Sequence, residues 1–239
     1  MINFLLTLLR FLRMMAPKPE KFEPTETELK LALESAKELK QSYYAPTYVV
    51  GNEQIRYKSS QLEDGKERID IHIAGSNDAL DWIQNFRVRI ATIPLTNHDV
   101  HKGFLEATEN LYSFLEKERK IPLEACYCIH GHSKGGAMAV ILGLLLHASG
   151  RTVIGVRTFG QPKVGKVHIE LPFTLKRYVS LGDAVPGLPP YRPWAKWIHF
   201  GSEKLIGDPV DDHVGKIRDA AKAHLMDNYI KALDKELHS

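Results

Sequence analysis

The pentapeptide Gly131-His132-Ser133-Lys134-Gly135 sets a serine hydroxyl between glycines, the spacing of a nucleophile carried on a tight strand-to-helix turn. Its flanks give the pattern weight. Ala125-Cys126-Tyr127-Cys128-Ile129 reads as a buried strand, and the run from Gly135 to Leu146 is apolar on every face, as in a helix packed against a sheet. So sharp a turn strains the serine backbone and presses helix against strand, which Gly131, Gly135 and Gly136 tolerate because they lack a Cβ. The hydroxyl then stands at a helix N-terminus, where unpaired backbone N–H groups can face developing negative charge. The chemistry on offer is nucleophilic attack by Ser133.

A serine hydroxyl is a weak nucleophile and needs a base, usually a histidine whose other nitrogen is held by a carboxylate. Asp183 is the strongest carboxylate candidate: it follows the strand-like segment 177–181 and Gly182, at the sheet edge where ligand chemistry collects in open α/β folds. Of eleven histidines, His147, His168, His199, His213, His224 and His238 lie downstream of the serine. His147 rides the serine's own helix away from it, His238 adjoins the terminus, and His199 alternates with Trp197 on a strand-like segment and reads as structural. His213 and His224 remain as candidate bases. Pattern alone leans slightly to His213, in the acidic loop Asp211-Asp212-His213.

The elements that must position these groups fit one α/β domain, residues 25–239, preceded by an amphipathic segment and linker over 1–24. At 239 residues the chain can bury a substantial single core. A helix is expected over 25–43, opened by a capping box of Thr25 and Glu28. Strands over 47–50, 54–59 and 67–73, with Asp64-Gly65 as a hairpin turn, read as a small antiparallel unit. From His101 onward helix 103–118, strand 125–129, helix 133–149 and strands 152–159 and 174–181 alternate, which predicts a mostly parallel sheet flanked by helices. Residues 214–237 read as one continuous helix.

Composition excludes some classes. Lys+Arg 32 against Asp+Glu 29 leaves a net charge of +3, too balanced for a nucleic-acid partner. Cys126, Cys128, His130 and His132 have the look of a metal set, yet alternate side chains on a strand stand roughly 7 Å apart. Four of them span about 20 Å and cannot converge on an ion bound at about 2.0 to 2.3 Å. No metal or other cofactor is expected. Residues 1–16 are apolar with Arg10 and Arg13 interrupting, too short to span a bilayer and without the charge placement of a secretory leader. They read as a helix on a membrane surface, as one docked on the domain, or as an atypical signal, leaving a membrane-peripheral or a secreted protein in view.

Six segments in order resemble the class 3, fungal-lipase-like family of the α/β hydrolase fold, from about Tyr43 to the C-terminus. They are Ala74-Gly75-Ser76 with Asp81-Trp82, Val100 to Phe104, Gly131 to Ala137, Thr158 to Gly165, Asp183 to Pro190, and His224 to Tyr229. The resemblance implies Ser133 as nucleophile, Asp183 as acid and His224 rather than His213 as base, because a tyrosine follows His224 as in the family. It implies an oxyanion hole from the backbone N–H groups of Ser76 and Lys134. It also implies a short lid over 77–86, with Leu80, Trp82, Ile83 and Phe86 facing the substrate.

Two departures stand out: Lys134 where relatives usually have leucine, and Ile73-Ala74 where they usually have Phe-Arg. Lys134 is expected to point to solvent, the alternative being a role with anionic substrates. The implied activity is carboxylic-ester hydrolysis, foremost of triacylglycerols, with lipid esters as the partner and contact with a lipid interface. The alternatives are an esterase or phospholipase A on soluble or anionic esters, and a non-catalytic membrane-associated binding protein.

Overall fold

The computed structural model describes residues 20–75, 89–94, 96, 98–190, 196–208 and 222–239. The expectations for residues 1–16, Ser76, Leu80, Trp82, Ile83, Phe86 and His213 lie outside the described residues. Helix α1 spans Glu26–Tyr44 and opens on the expected box: Thr25 Oγ1 accepts from the Glu28 N–H at 3.3 Å while the Thr25 N–H donates to Glu28 Oε2 at 2.9 Å. Strands β1 (Tyr48–Val50), β2 (Glu53–Gln61) and β3 (Glu67–Ile73) follow. A two-stranded ribbon, β4 (Ile90–Thr92) and β5 (Asp99–His101), precedes helix α2 (Lys102–Lys117). Then come β6 (Cys126–His132), α3 (Lys134–Ala148), β7 (Thr152–Phe159), β8 (Thr174–Ser180), β9 (Ser202–Ile206) and α4 (Met226–Leu237).

Seven strands form one sheet in the order β1-β2-β3-β6-β7-β8-β9. β1, β2 and β3 pair antiparallel, and β3 then joins β6 in parallel, as do all the strands beyond it. The opening strands are therefore the edge of the main sheet and not a separate unit, because the β3 alternation gives them a face for each helical layer. Ile69, Ile71 and Ile73 enter the larger core with Tyr127 and Ile129 of β6 and the buried residues of α2 and α3. α3 is buried from Gly135 through Leu144, as its all-round apolarity requires. The opposite face packs α1 and α4 on Phe159, Tyr178 and Ile206.

Under α1 the sheet is polar. Asp70 accepts from Arg68 Nε and Nη2, both at 2.8 Å, and from His130 Nε2 at 3.1 Å, and the rings of His130 and His72 stack at 4.5 Å. Burial alone would raise the Asp70 carboxyl, but the bonds from His130 and Arg68 outweigh it and hold it well below the usual range. Burial pushes both histidines below their ordinary value and the Cys128 thiol up to about 11. The residues that looked like a metal set thus run the length of β6, each with its own neighbours. Among the described residues no group of three or more His, Cys, Asp and Glu could hold a metal ion.

Besides the β4–β5 ribbon, two features were not read from the sequence. β9 closes the sheet, and residues 20–22 lie along it, with Phe22 N–H bonded to Glu203 O at 3.2 Å. The expected helix over 214–237 is broken: Leu225 is extended (φ −67, ψ 142) and caps α4. Among the described residues no helix is long and apolar enough to cross a membrane.

Candidate active site

β6 runs directly into the pentapeptide, so Gly131 and His132 are its last residues and Ser133 is the single residue between strand and helix. Ser133 has φ 56 and ψ −127, a strained conformation for a residue with a side chain. The glycines are there for space. A Cβ on Gly131 would stand 2.2 Å from Gly135 O, and one on Gly135 would stand 2.3 Å from Ile73 O. The first turn of α3 is thereby pressed onto the ends of both β6 and β3.

Asp183 lies just past β8, tied to it by its N–H to Ser180 O at 3.1 Å. Its Oδ1 accepts from the Val185 N–H at 2.8 Å, and its Oδ2 accepts from the Tyr229 hydroxyl at 2.6 Å and from His224 Nδ1 at 2.8 Å. With Nδ1 donating, the Nε2 of a neutral His224 is an acceptor. That atom and Ser133 Oγ are both buried, and both lack a hydrogen-bond partner among the described residues. Ser133 N–H bonds Phe159 O at 2.9 Å, and a Cβ on the next residue, Gly160, would stand 2.8 Å from both Asp183 Oδ2 and His224 Cε1. The three groups picked from the sequence therefore meet around the end of β7. His224 sits at the break before α4, where leaving the helix frees its carbonyl and turns its ring to Asp183.

Three further residues belong to this cluster without having been assigned a role from the sequence. Tyr229 bridges Asp183 and the Ser180 N–H at 3.1 Å, anchoring α4 to β8. His132 reaches the His224 carbonyl with Nε2 at 2.8 Å, and its ring stacks on that of His224 at 4.6 Å. A carbonyl only accepts, so Nε2 carries the proton and Nδ1 accepts from the Tyr43 hydroxyl at 2.5 Å. Tyr43 in turn accepts from the Gly75 N–H at 2.7 Å. Burial, followed by the charge of a protonated His224, pushes His132 well below the ordinary histidine value, and burial raises the Tyr43 hydroxyl. The tyrosine following His224 was visible as part of the motif, but nothing in the sequence linked Tyr43 to position 132, eighty-nine residues away.

Gly75, the last described residue before Ser76, lies against the nucleophile: a Cβ there would be 2.6 Å from Ser133 Cβ. Lys134 does not point to solvent as expected. Its ammonium bonds the buried Glu53 carboxylate at the start of β2, because a cation at a helix N-terminus needs a counter-charge. Ala74, where relatives usually place arginine, is fully buried, with its N–H on Gln54 O at 3.0 Å.

A mostly parallel sheet flanked by helices, with a serine elbow between strand and helix and a carboxylate beyond a later strand, defines the α/β hydrolase fold. Solved lipase structures share it. One from Rhizopus microsporus var. chinensis aligns with TM-score 0.60 and 20% identity, over 82% of this chain and 80% of that one. A triacylglycerol lipase described as having a serine-protease triad at its catalytic centre aligns with TM-score 0.56 and 25% identity, over 77% of this chain and 82% of that one. The model of the class 3 lipase family matches residues 71–192, just over half of the chain. The protein belongs to the class 3 lipase family. It is 29% identical over 138 residues to secreted mono- and diacylglycerol lipase 1 of Fusarium solani; the match covers 54% of this chain but only 41% of that relative's length.

Proposed function

We propose that the protein is a serine carboxylic-ester hydrolase, a triacylglycerol lipase working through an acyl-enzyme on Ser133. The observation that supports this reading is a pair of buried atoms without a hydrogen-bond partner among the described residues, Ser133 Oγ and His224 Nε2, behind which His224 is held by Asp183. In this mechanism Oγ attacks the ester carbonyl as Nε2 takes its proton. Asp183 keeps the ring oriented through Nδ1 and stabilises the imidazolium, itself held by Tyr229 and the Val185 N–H. The protonated His224 then gives its proton to the departing alcohol, and water repeats the sequence to release the acid. Oxyanion donors are the Lys134 N–H, in the first helical turn where no intrahelical partner exists, and the Ser76 N–H.

Acylglycerols as substrates are supported by the family and by the Fusarium relative, whose name assigns it mono- and diacylglycerols. A fluorophosphonate probe should label wild-type protein at Ser133 and leave Ser133→Ala unlabelled. That variant should lose activity on emulsified tributyrin by roughly 10⁴-fold or more. Well-folded wild-type protein that takes up no label would refute the reading.

A further inference from the structure

The cation beside the nucleophile is neutralised from within the protein. Lys134 is the first residue of α3, where the positive end of the helix dipole opposes a second positive charge. Its ammonium nevertheless lies mostly out of solvent, with a side-chain exposure of 19%, bonded to a Glu53 carboxylate exposed by only 8%. A buried ion pair is poor evidence of stabilisation, since desolvating both charges costs about as much as their attraction returns. Its use must be sought in geometry.

Glu53 opens β2, and the next residue, Gln54, holds the Ala74 N–H at 3.0 Å. Ala74 leads into Gly75, which touches Ser133 and is held by Tyr43. The pair therefore ties the first turn of α3 to the strand that also supports the chain leading to Ser76. Gly135 shows how tight that contact is, with its backbone against the carbonyls of Ile73 and Ala74. Glu53 also acts on Tyr43, its charge adding to burial in raising the tyrosine hydroxyl.

We propose that the Lys134 side chain, through Glu53, is a positioning residue that sets the oxyanion donor on its own backbone, and that its charge is withheld from the substrate. The inference rests on the catalytic reading of Ser133. It follows that Lys134 does not select anionic esters, and that the centre treats an uncharged and an anionic acyl group alike as far as this residue is concerned.

The test compares Lys134→Met, Glu53→Gln and the double variant, on p-nitrophenyl butyrate and on the mono-p-nitrophenyl ester of succinic acid. Rates are counted per site titrated with a fluorophosphonate. Losing an oxyanion donor outright costs about 10²- to 10³-fold in kcat, so a displaced donor in Lys134→Met should cost roughly tenfold. The loss should be equal for both esters, with KM changed by less than about twofold. The double variant should recover stability, because it removes the unpaired buried carboxylate as well, but not kcat, because the tie between α3 and β2 is still missing. Should Lys134→Met fail to fold, Glu53→Gln and the double variant carry the test: the single change should lower kcat on both esters and the double change should not lower it further.

A loss confined to the anionic ester and expressed in KM would overturn the proposal and make Lys134 a reader of substrate charge. A lower melting temperature with unchanged kcat per titrated site would overturn it in favour of a purely structural pair. Wild-type protein that does not label would instead bring down the catalytic reading underneath it, an outcome distinct from either kinetic pattern.

Discussion

Tyr43→Phe removes one oxygen atom that serves two buried groups. The Tyr43 hydroxyl accepts from the Gly75 N–H at 2.7 Å and donates to His132 Nδ1 at 2.5 Å. Phenylalanine fills nearly the same volume, so little packing is lost, but the amide and the imidazole nitrogen both stay behind without a partner. A buried polar group left unsatisfied costs about 1–3 kcal/mol. Two of them, allowing for relaxation, put the loss near 3 kcal/mol. For a domain of this length each kcal/mol moves the melting temperature by about 2–4 °C, so Tyr43→Phe should melt roughly 6–12 °C below wild type. The neighbouring Tyr44 is 75% exposed, and Tyr44→Phe should stay within about 0.5 kcal/mol of wild type.

Catalysis should suffer too, because Gly75 packs against Ser133 Cβ and leads directly to Ser76. A loop free to shift by part of an ångström weakens an oxyanion donor, and kcat on p-nitrophenyl butyrate should fall roughly tenfold. Thermal denaturation followed by circular dichroism, with both variants side by side, reads the first effect. A drop of less than about 2 °C in Tyr43→Phe, with Tyr44→Phe as the baseline, would refute the bonding scheme around that hydroxyl.

Two further outcomes are expected. His224→Ala should abolish ester hydrolysis while His213→Ala keeps most of it, measured on tributyrin; the opposite result would assign the base to His213. Folding stability should fall in mild acid. His72, His130 and His132 are all held below the ordinary histidine value, chiefly by burial, so between pH 6.5 and their folded values the unfolded chain binds more protons. Their stabilisation is complete above about pH 6.5 and is lost below it, with a slope of up to about 1.4 kcal/mol per pH unit for each. Asp70, held low against burial by His130 and Arg68, adds a second loss only as the pH falls below about 3.9. Urea unfolding at pH 8, 6 and 5 checks this, and equal midpoints would refute it.

What the sequence made legible was local. The 3.6-residue spacing of α1 with its Thr25–Glu28 box, the unbroken apolarity of α3 and the glycines of the elbow each state their conformation within a few neighbouring residues. Ser133 and Asp183 were picked from spacing, whereas pattern alone leaned to His213 and only the family resemblance picked His224, the histidine that bonds Asp183. Three kinds of feature stayed hidden. The break at Leu225 carries no glycine or proline, since it is imposed by the bonds His224 makes to Asp183 and His132 and not by local preference. β9 is short and half polar, and becomes a strand only because β8 offers it an edge. Lys134 read as exposed because its counter-charge, Glu53, lies eighty-one residues away.

The polar network behind the site also explains why His132 must be neutral. Its Nε2 proton is committed to the His224 carbonyl and its Nδ1 lone pair to the Tyr43 hydroxyl. A second proton on Nδ1 would face the Tyr43 hydrogen, and Tyr43 cannot simply turn its hydroxyl away, because its oxygen already receives the Gly75 N–H. Protonation would therefore break a chain of bonds running from Gly75 to His224, the two ends of the proposed catalytic arrangement. The same chain sets a direction. In the proposed mechanism, once His224 holds the proton from Ser133 the stacked ring 4.6 Å away has a positive neighbour, and that charge further disfavours protonating His132. On that proposal the proton taken from the serine stays on His224, the ring that would return it to the leaving alcohol, while Tyr43, Gly75 and His132 keep their positions.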